Sequence, residues 1–218
     1  VKSSVHISPI QIIVPFRPDG AKSRLSPVLS PNERYLLAIY MLKDVLSVAS
    51  VAGKITILSR PYADRGLMIP GAKILCSDLD LNDALNELIQ NQSERGWPDS
   101  LLIIMADMPL LTIEDVQGII KTDGDIVLSP SRNGGTNMIL IRNSKFRTCY
   151  NGSSFIKHLE LARRMGLKVG IYSSHNSMCD IDIPADMKEI LSHGKGKTRT
   201  LLNSLGFGSK KKNEANLI

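Results

Sequence analysis

The sequence is poor in the residues that most often announce a chemistry. Its three cysteines, Cys76, Cys149 and Cys179, stand at scattered spacings with no Cys-x-x-Cys pair. Neither a disulfide framework nor a cysteine zinc site is expected, and a reduced, cytoplasmic setting fits best. Aromatic residues make up 5% of the chain, and none interleaves with the basic residues as a stacking platform for bases requires. No apolar run approaches the ~20 residues of a membrane-spanning helix, and residues 1–6 carry no signal-peptide core. The four histidines, His6, His158, His175 and His193, are scattered, with no Ser/His/Asp or Cys/His pairing. His158, on a helical stretch, reads as structural. Both Gly-x-Gly-x-x-Gly and a Walker A sequence are missing, which argues against hydride transfer on a dinucleotide and against P-loop hydrolysis.

What is present describes a globular α/β protein. Hydrophobic residues are 43% of 218, enough for one large domain with a real core. The net charge of +6 is concentrated at the end, where Lys195, Lys197, Arg199, Lys210, Lys211 and Lys212 face only Glu214. A nucleic-acid-binding module is the reading from a different class that this basic segment invites. A solvated tail is the plainer one and is preferred. Residues 1–194 are expected to form one domain, and 195–218 a basic tail, either disordered or used in oligomer contacts.

Strands are expected at Ile10–Val14, Lys54–Ser59, Ala72–Cys76, Leu101–Ala106, Asp125–Leu128, Thr136–Ile141 and Lys168–Tyr172. Between them run helices. One opens at the capping box Ser30-Pro31-Asn32-Glu33 and ends near Ala49; another covers Asn82 to about Glu94. A short helix is capped by Thr112 with Asp115 three residues on, another spans about Ser154–Met165, and one runs from Pro184 to about His193. Alternating strands and helices imply a Rossmann-like three-layer α/β/α fold on a mostly parallel, mixed sheet.

Ligands of such sheets bind outside the carboxyl ends of the strands. The first strand delivers a loop with Arg17, Lys22 and Arg24, a cationic grip suited to a polyphosphate. The fourth ends at Asp107, where a carboxylate is poorly solvated and a divalent cation would account for it. Asp180 and Asp182, two residues apart, point to one side of an extended segment, and paired carboxylates call for a cation between them. Helix capping is the bland alternative for Asp182, but with Pro184 at the first helical position the cap falls on Ile183. Thr136-Asn137 after Gly134-Gly135, and Asn151-Gly152-Ser153-Ser154 before a helix, look like anion cradles, though turns and caps use the same residues.

These pieces, in this order, resemble the 2-phospho-L-lactate guanylyltransferase family of deazaflavin coenzyme F-420 biosynthesis, nucleotidyltransferases with a glycosyltransferase-A-like fold. The resemblance is carried by Val14-Pro15-Phe16 with Gly20-Ala21-Lys22-Ser23-Arg24-Leu25-Ser26-Pro27, and by Asp80-Leu81-Asn82-Asp83-Ala84-Leu85. It continues in Met105-Ala106-Asp107-Met108-Pro109-Leu110-Leu111, Gly134-Gly135-Thr136-Asn137, Gly152-Ser153-Ser154-Phe155 and Asp180-Ile181-Asp182-Ile183-Pro184. It implies that Lys22 and Arg24 hold a triphosphate, with Pro15, Gly20, Ser23, Asp78, Asp80 and Asn82 around the nucleotide. It implies Mg²⁺ on Asp107, Asp180 and Asp182, and an acceptor phosphate on Thr136, Asn137, Gly152, Ser153 and Ser154. Lys22, Arg24 and Asp107 would be the catalytic set. The substrates implied are GTP and a phosphorylated three-carbon acid, and the assembly a homodimer. Phosphoenolpyruvate and 3-phosphoglycerate are alternative acceptors, and a molybdopterin-type guanylyltransferase a more distant relative. Nucleic acid is disfavoured as a partner. Asn151 stands close to where some relatives have glycine, and the segment after Gly194 matches poorly.

Overall fold

Ile10–Pro15 (β1) is an apolar run buried at five of its six positions, and a strand buried on both faces belongs in the middle of a sheet. In the computed structural model, which describes residues 10–18, 20, 22–61, 69–97 and 100–208, it lies parallel to Gly53–Ser59 (β2) on one side and Leu101–Ile104 (β4) on the other. Ala72–Cys76 (β3) closes one edge. Beyond β4 come Thr136–Ile141 (β6), Ile126–Pro130 (β5) and Val169–Ile171 (β7), giving the order β3-β2-β1-β4-β6-β5-β7. Only β6 runs antiparallel to its neighbours, so the sheet is mixed and mostly parallel, as expected. Asp19, Ala21, Lys210, Lys211 and Lys212 lie outside the described residues.

Alternation along the strands assigns the two helical layers. Ile12 and Val14 of β1, with Leu102 and Ile104 of β4, pack on Pro31–Ala49 (α1) and Ile113–Lys121 (α3). Ile13, Leu101 and Ile103 face the other way, onto Leu81–Arg95 (α2) and Ser154–Arg164 (α4). Both capping boxes read from sequence are formed, at Ser30/Glu33 and Thr112/Asp115. Strand β4 stops at Ile104, two residues earlier than expected, although the Met105 N–H still bonds to the Asn137 carbonyl of β6 at 3.0 Å.

The chain end departs from expectation. The packed structure does not stop at Gly194: after Met187–His193 (α5), Lys197–Ser204 forms a further helix (α6) against α1. Its amino end is capped from a distance by the buried Asp44 of α1. That carboxylate accepts from the Lys197 and Thr198 N–H groups at 2.7 and 2.8 Å and from the Thr198 hydroxyl at 2.6 Å. A Cβ on Gly196 would come within 2.5 Å of the same carboxylate, so the close approach requires glycine there. Leu201, Leu202 and Phe207 complete a third apolar cluster with Leu25, Cys179, Ile181 and Met187.

Helix α4 is pinned to β6 by His158, which is fully buried. Its Nε2 accepts from the Cys149 N–H at 2.7 Å, so the ring proton resides on Nδ1, which donates to Thr136 Oγ1 at 2.9 Å. Burial pushes the imidazole pKa down to about 4. Its unfolded value is about 6.5, so the unfolded chain takes up the proton first as pH falls. This part of the stability is whole above that value and drains away toward pH 4. Urea unfolding of the wild type should show a loss of about 2 kcal/mol between pH 7 and pH 5 from this group. His158→Gln should be less stable at pH 7 yet lack that increment, and an unchanged pH slope in the variant would refute the assignment.

Candidate active site

The sheet order reverses between β1 and β4, and their carboxyl ends open into one crevice. From β1 the chain reaches Lys22, whose φ of 57° and ψ of 37° lie in the left-handed region. Lys22 is the non-glycine residue with positive φ among the described residues, and holding it so costs about 1–3 kcal/mol. The turn Ser23–Leu25 follows at once, and Leu25 is fully buried in the third cluster. Burying that side chain contributes about 1.5–3 kcal/mol, enough to hold the turn down.

Lys22 Nζ stands 2.6 Å from Asp107 Oδ2 and 2.9 Å from Asp182 Oδ1, with its side chain 10% exposed. Burial alone would lower its pKa, but the two carboxylates outweigh burial and raise it. Arg24 is peripheral, 72% exposed and 3.8 Å from Asp182 Oδ2.

Asp180 and Asp182 arrive on an extended arm. Cys179 and Ile181 are fully buried, so the intervening aspartates are turned to the other side, as the spacing predicts. Asp182 is not a helix cap. Asp186 takes that work, its carboxylate accepting from the Asp182 and Ile183 N–H groups at 2.8 and 2.9 Å. The arm is tied to β4 by the Ile181 N–H, which donates to the Asp107 carbonyl at 3.2 Å. Oδ1 of Asp180 is buried without a hydrogen-bond partner. Burial first, then the charges of Asp107 and Asp182, push its pKa up to about 6. Three carboxylates with one inward ammonium, and one buried oxygen left unsatisfied, form a donor set that fits a hard divalent cation. Lys22 already occupies a cation's place between two of them.

A cavity of about 250 Å³ adjoins this cluster, lined by Pro15, Phe16, Arg17, Leu81 and Met105 as well as Lys22, Asp107 and Asp182. Arg17, which the sequence groups with the phosphate-gripping cations, donates from one terminal nitrogen to the Leu79 carbonyl, tying the β1 loop to the loop before α2, while its Nε is buried without a partner. Asp80 caps α2 by accepting from the Asp83 N–H, and Asp78 is exposed beside it. Asn82 turns toward the other half of the cleft, its amide bonded to the Tyr150 N–H and the Asn151 side chain. Gly20, at φ 68°, has no neighbour within 4 Å of a Cβ position, and Ser23 is exposed.

The second half is the junction of β5, β6 and α4. The Phe155 N–H donates to the Gly134 carbonyl at 3.2 Å, which holds the Gly134-Gly135 turn against the amino end of α4. Gly152 takes φ 61°, and Ser153 sits at the N-cap position without making a side-chain cap bond. Ser154 Oγ lies 3.2 Å from Thr136 Oγ1. His158 and the Ser154 hydroxyl both donate to that Thr136 oxygen, so the Thr136 hydroxyl proton is left for a further acceptor. Asn137 is a brace, its amide donating to the Ser177 carbonyl at 3.0 Å. His158, read from the sequence as structural, is buried and bonded at both ring nitrogens, but a helical position reveals nothing of its partner from β6.

The family described as "Guanylyl transferase CofC like" matches residues 10–217. The 2-phospho-L-lactate guanylyltransferase of Methanothrix thermoacetophila is 45% identical over 202 residues, 92% of this chain and 91% of that one. That of Archaeoglobus fulgidus is 39% identical over 199 residues, covering 91% of each. Among solved structures, a putative nucleotide-diphospho-sugar transferase from Desulfovibrio desulfuricans G20 superposes with a TM-score of 0.75 at 19% identity, over 93% of this chain and 97% of that one. This likeness shows the nucleotidyltransferase-like α/β fold. With a family match across nearly its whole length and relatives this similar, the chain belongs to the CofC-like guanylyltransferase family.

Proposed function

We propose that the protein transfers GMP from GTP to the phosphate of 2-phospho-L-lactate and releases pyrophosphate, a step in deazaflavin coenzyme F-420 biosynthesis. The observation that carries the reading is Lys22 clasped by Asp107 and Asp182 beside the unpartnered Asp180 oxygen, next to a cavity of about 250 Å³. The substrate named for the most similar relatives supports the choice of acceptor. The reading includes magnesium as the metal and, on the family resemblance alone, a cytoplasmic homodimer.

An oxygen of the acceptor phosphate forms a bond to the α-phosphorus of GTP, and the bond from that phosphorus to the bridging oxygen of pyrophosphate breaks. A phosphate monoester loses its second proton at a pKa of about 6, so it is nucleophilic near neutrality without a general base. The cradle supplies none: His158 is neutral, and both its ring nitrogens are engaged. The remaining obstacle is repulsion between two polyanions. Asp107, Asp180 and Asp182 would hold Mg²⁺, which when bound neutralises phosphate charge. Lys22 and Arg24 hold the departing pyrophosphate. The hydroxyls of Thr136 and Ser154, with the backbone and dipole at the start of α4, hold the acceptor in place.

Pyrophosphate release measured with four nucleoside triphosphates against phospholactate, phosphoenolpyruvate and 3-phosphoglycerate tests the assignment; the expected best pair is GTP with phospholactate, and release independent of any acceptor would sink it. Asp107→Asn should cut turnover by at least about a hundredfold while leaving the melting curve cooperative; activity near wild type would remove Asp107 from the metal set. Ser154→Ala should raise the acceptor KM by about tenfold, the loss of one hydrogen bond to a charged group, with the KM for GTP unchanged; an effect confined to GTP would contradict the acceptor cradle.

A further inference from the structure

Away from the carboxylate cluster, a second group of ligand-type side chains gathers at α5. Glu189 and His193 lie four residues apart on that helix, on one face. His175, from the loop after β7, meets them. Its Nε2 is 3.2 Å from Glu189 Oε2, and the Nε2 of His193 is 3.9 Å from the same oxygen. The three ligand atoms all lie within 4.8 Å of one another. A tetrahedral ion with bonds of about 2.0–2.1 Å needs its donors about 3.3 Å apart. One contact already meets that requirement, and small rotations of two exposed imidazoles supply the rest.

The carboxylate is prepared for the task. Arg132 of the β5–β6 connection binds the other oxygen, Oε1, at 3.2 Å. Burial would raise the Glu189 pKa, but Arg132 outweighs it and holds the carboxyl below its usual range. A ligating carboxylate is commonly oriented in this way by an outer hydrogen bond, which here turns Oε2 toward the imidazoles. The guanidinium also lies 3.4 Å from His175, so an ion must displace that contact and bind against a neighbouring positive charge. Micromolar rather than nanomolar affinity follows.

We infer that His175, Glu189 and His193 form a binding site for a transition metal ion of the Zn²⁺ type, distinct from the Asp107/Asp180/Asp182 cluster. Two imidazoles and one carboxylate select Zn²⁺, Co²⁺ or Ni²⁺ over Mg²⁺. Three protein ligands leave a further position to water. The ligands bracket Asp180 and Asp182 in the chain, so a bound ion clips the aspartate-bearing arm to the helix that follows it. Through Arg132 it also couples to the connection that carries Gly134 and Gly135.

Equilibrium dialysis of the untagged, metal-stripped full chain against Co²⁺ tests the site. The wild type is expected to take up one equivalent with visible absorption bands of low-coordinate Co²⁺, displaced by Zn²⁺ and not by a large excess of Mg²⁺. His175→Ala and His193→Ala each weaken uptake by about tenfold or more, with unchanged circular dichroism, since both side chains are more than half exposed. Asp107→Asn keeps it. Zn²⁺ raises the Tm of the wild type and not that of the double histidine variant. Absence of uptake at micromolar Co²⁺, uptake that survives both histidine substitutions, or uptake lost with Asp107→Asn would reduce the cluster to an ion-pair network and overturn the site.

Discussion

Mutual repulsion of three carboxylates is the constraint on which the working edge of this protein is built. Asp107, Asp180 and Asp182 converge from two segments of the chain, and a cation must stand among them for the convergence to persist. Lys22 provides that charge, and to do so its backbone adopts a left-handed conformation that a side chain disfavours. The strain is met elsewhere: Leu25 anchors the turn from below, Cys179 and Ile181 anchor the arm, and all three enter one apolar cluster. The same arrangement leaves an ammonium and a hard oxygen donor set at the edge of the cavity, which under the proposed function would meet incoming phosphates.

The two halves of the cleft solve opposite problems. Three carboxylates and Lys22 gather on one half, while the innermost polar side chains of the other are uncharged. Thr136, Ser154 and His158 form a neutral relay whose polarity is set by a backbone N–H. Under the proposed function, such a neutral cradle adds no further repulsion to an acceptor that already carries about two negative charges. It also fixes geometry without competing for the proton that the acceptor has lost. Asn82 joins the halves, since it lies on α2 near the nucleotide side yet spends its amide on the segment that precedes Gly152.

Much of this was legible in the sequence, wherever the determining interaction is local. The doubly buried strands, both capping boxes and the shared face of Asp180 and Asp182 follow from periodicity and from residues three positions apart. Legibility fails where a partner is remote. Helix α6 was hidden because its cap, Asp44, lies 153 residues before Lys197. The amide partners of Asn137 and Asn82, Ser177 and Tyr150, are likewise distant in the chain. Nothing local marks the Leu79 carbonyl as an acceptor for Arg17. His158 reads as structural until its contact with Thr136 is seen, and then it serves both purposes.

The remote cap of α6 bears on how the molecule is assembled during synthesis. An eight-residue helix has little stability alone, and this one needs Asp44 already presented by α1. Its residues Leu201 and Leu202 belong to the cluster that also floors the Lys22 turn and the aspartate arm. A nascent chain can therefore pair its strands before residues 197–207 emerge, yet the seat of the Lys22 turn and the aspartate arm is closed only once they do.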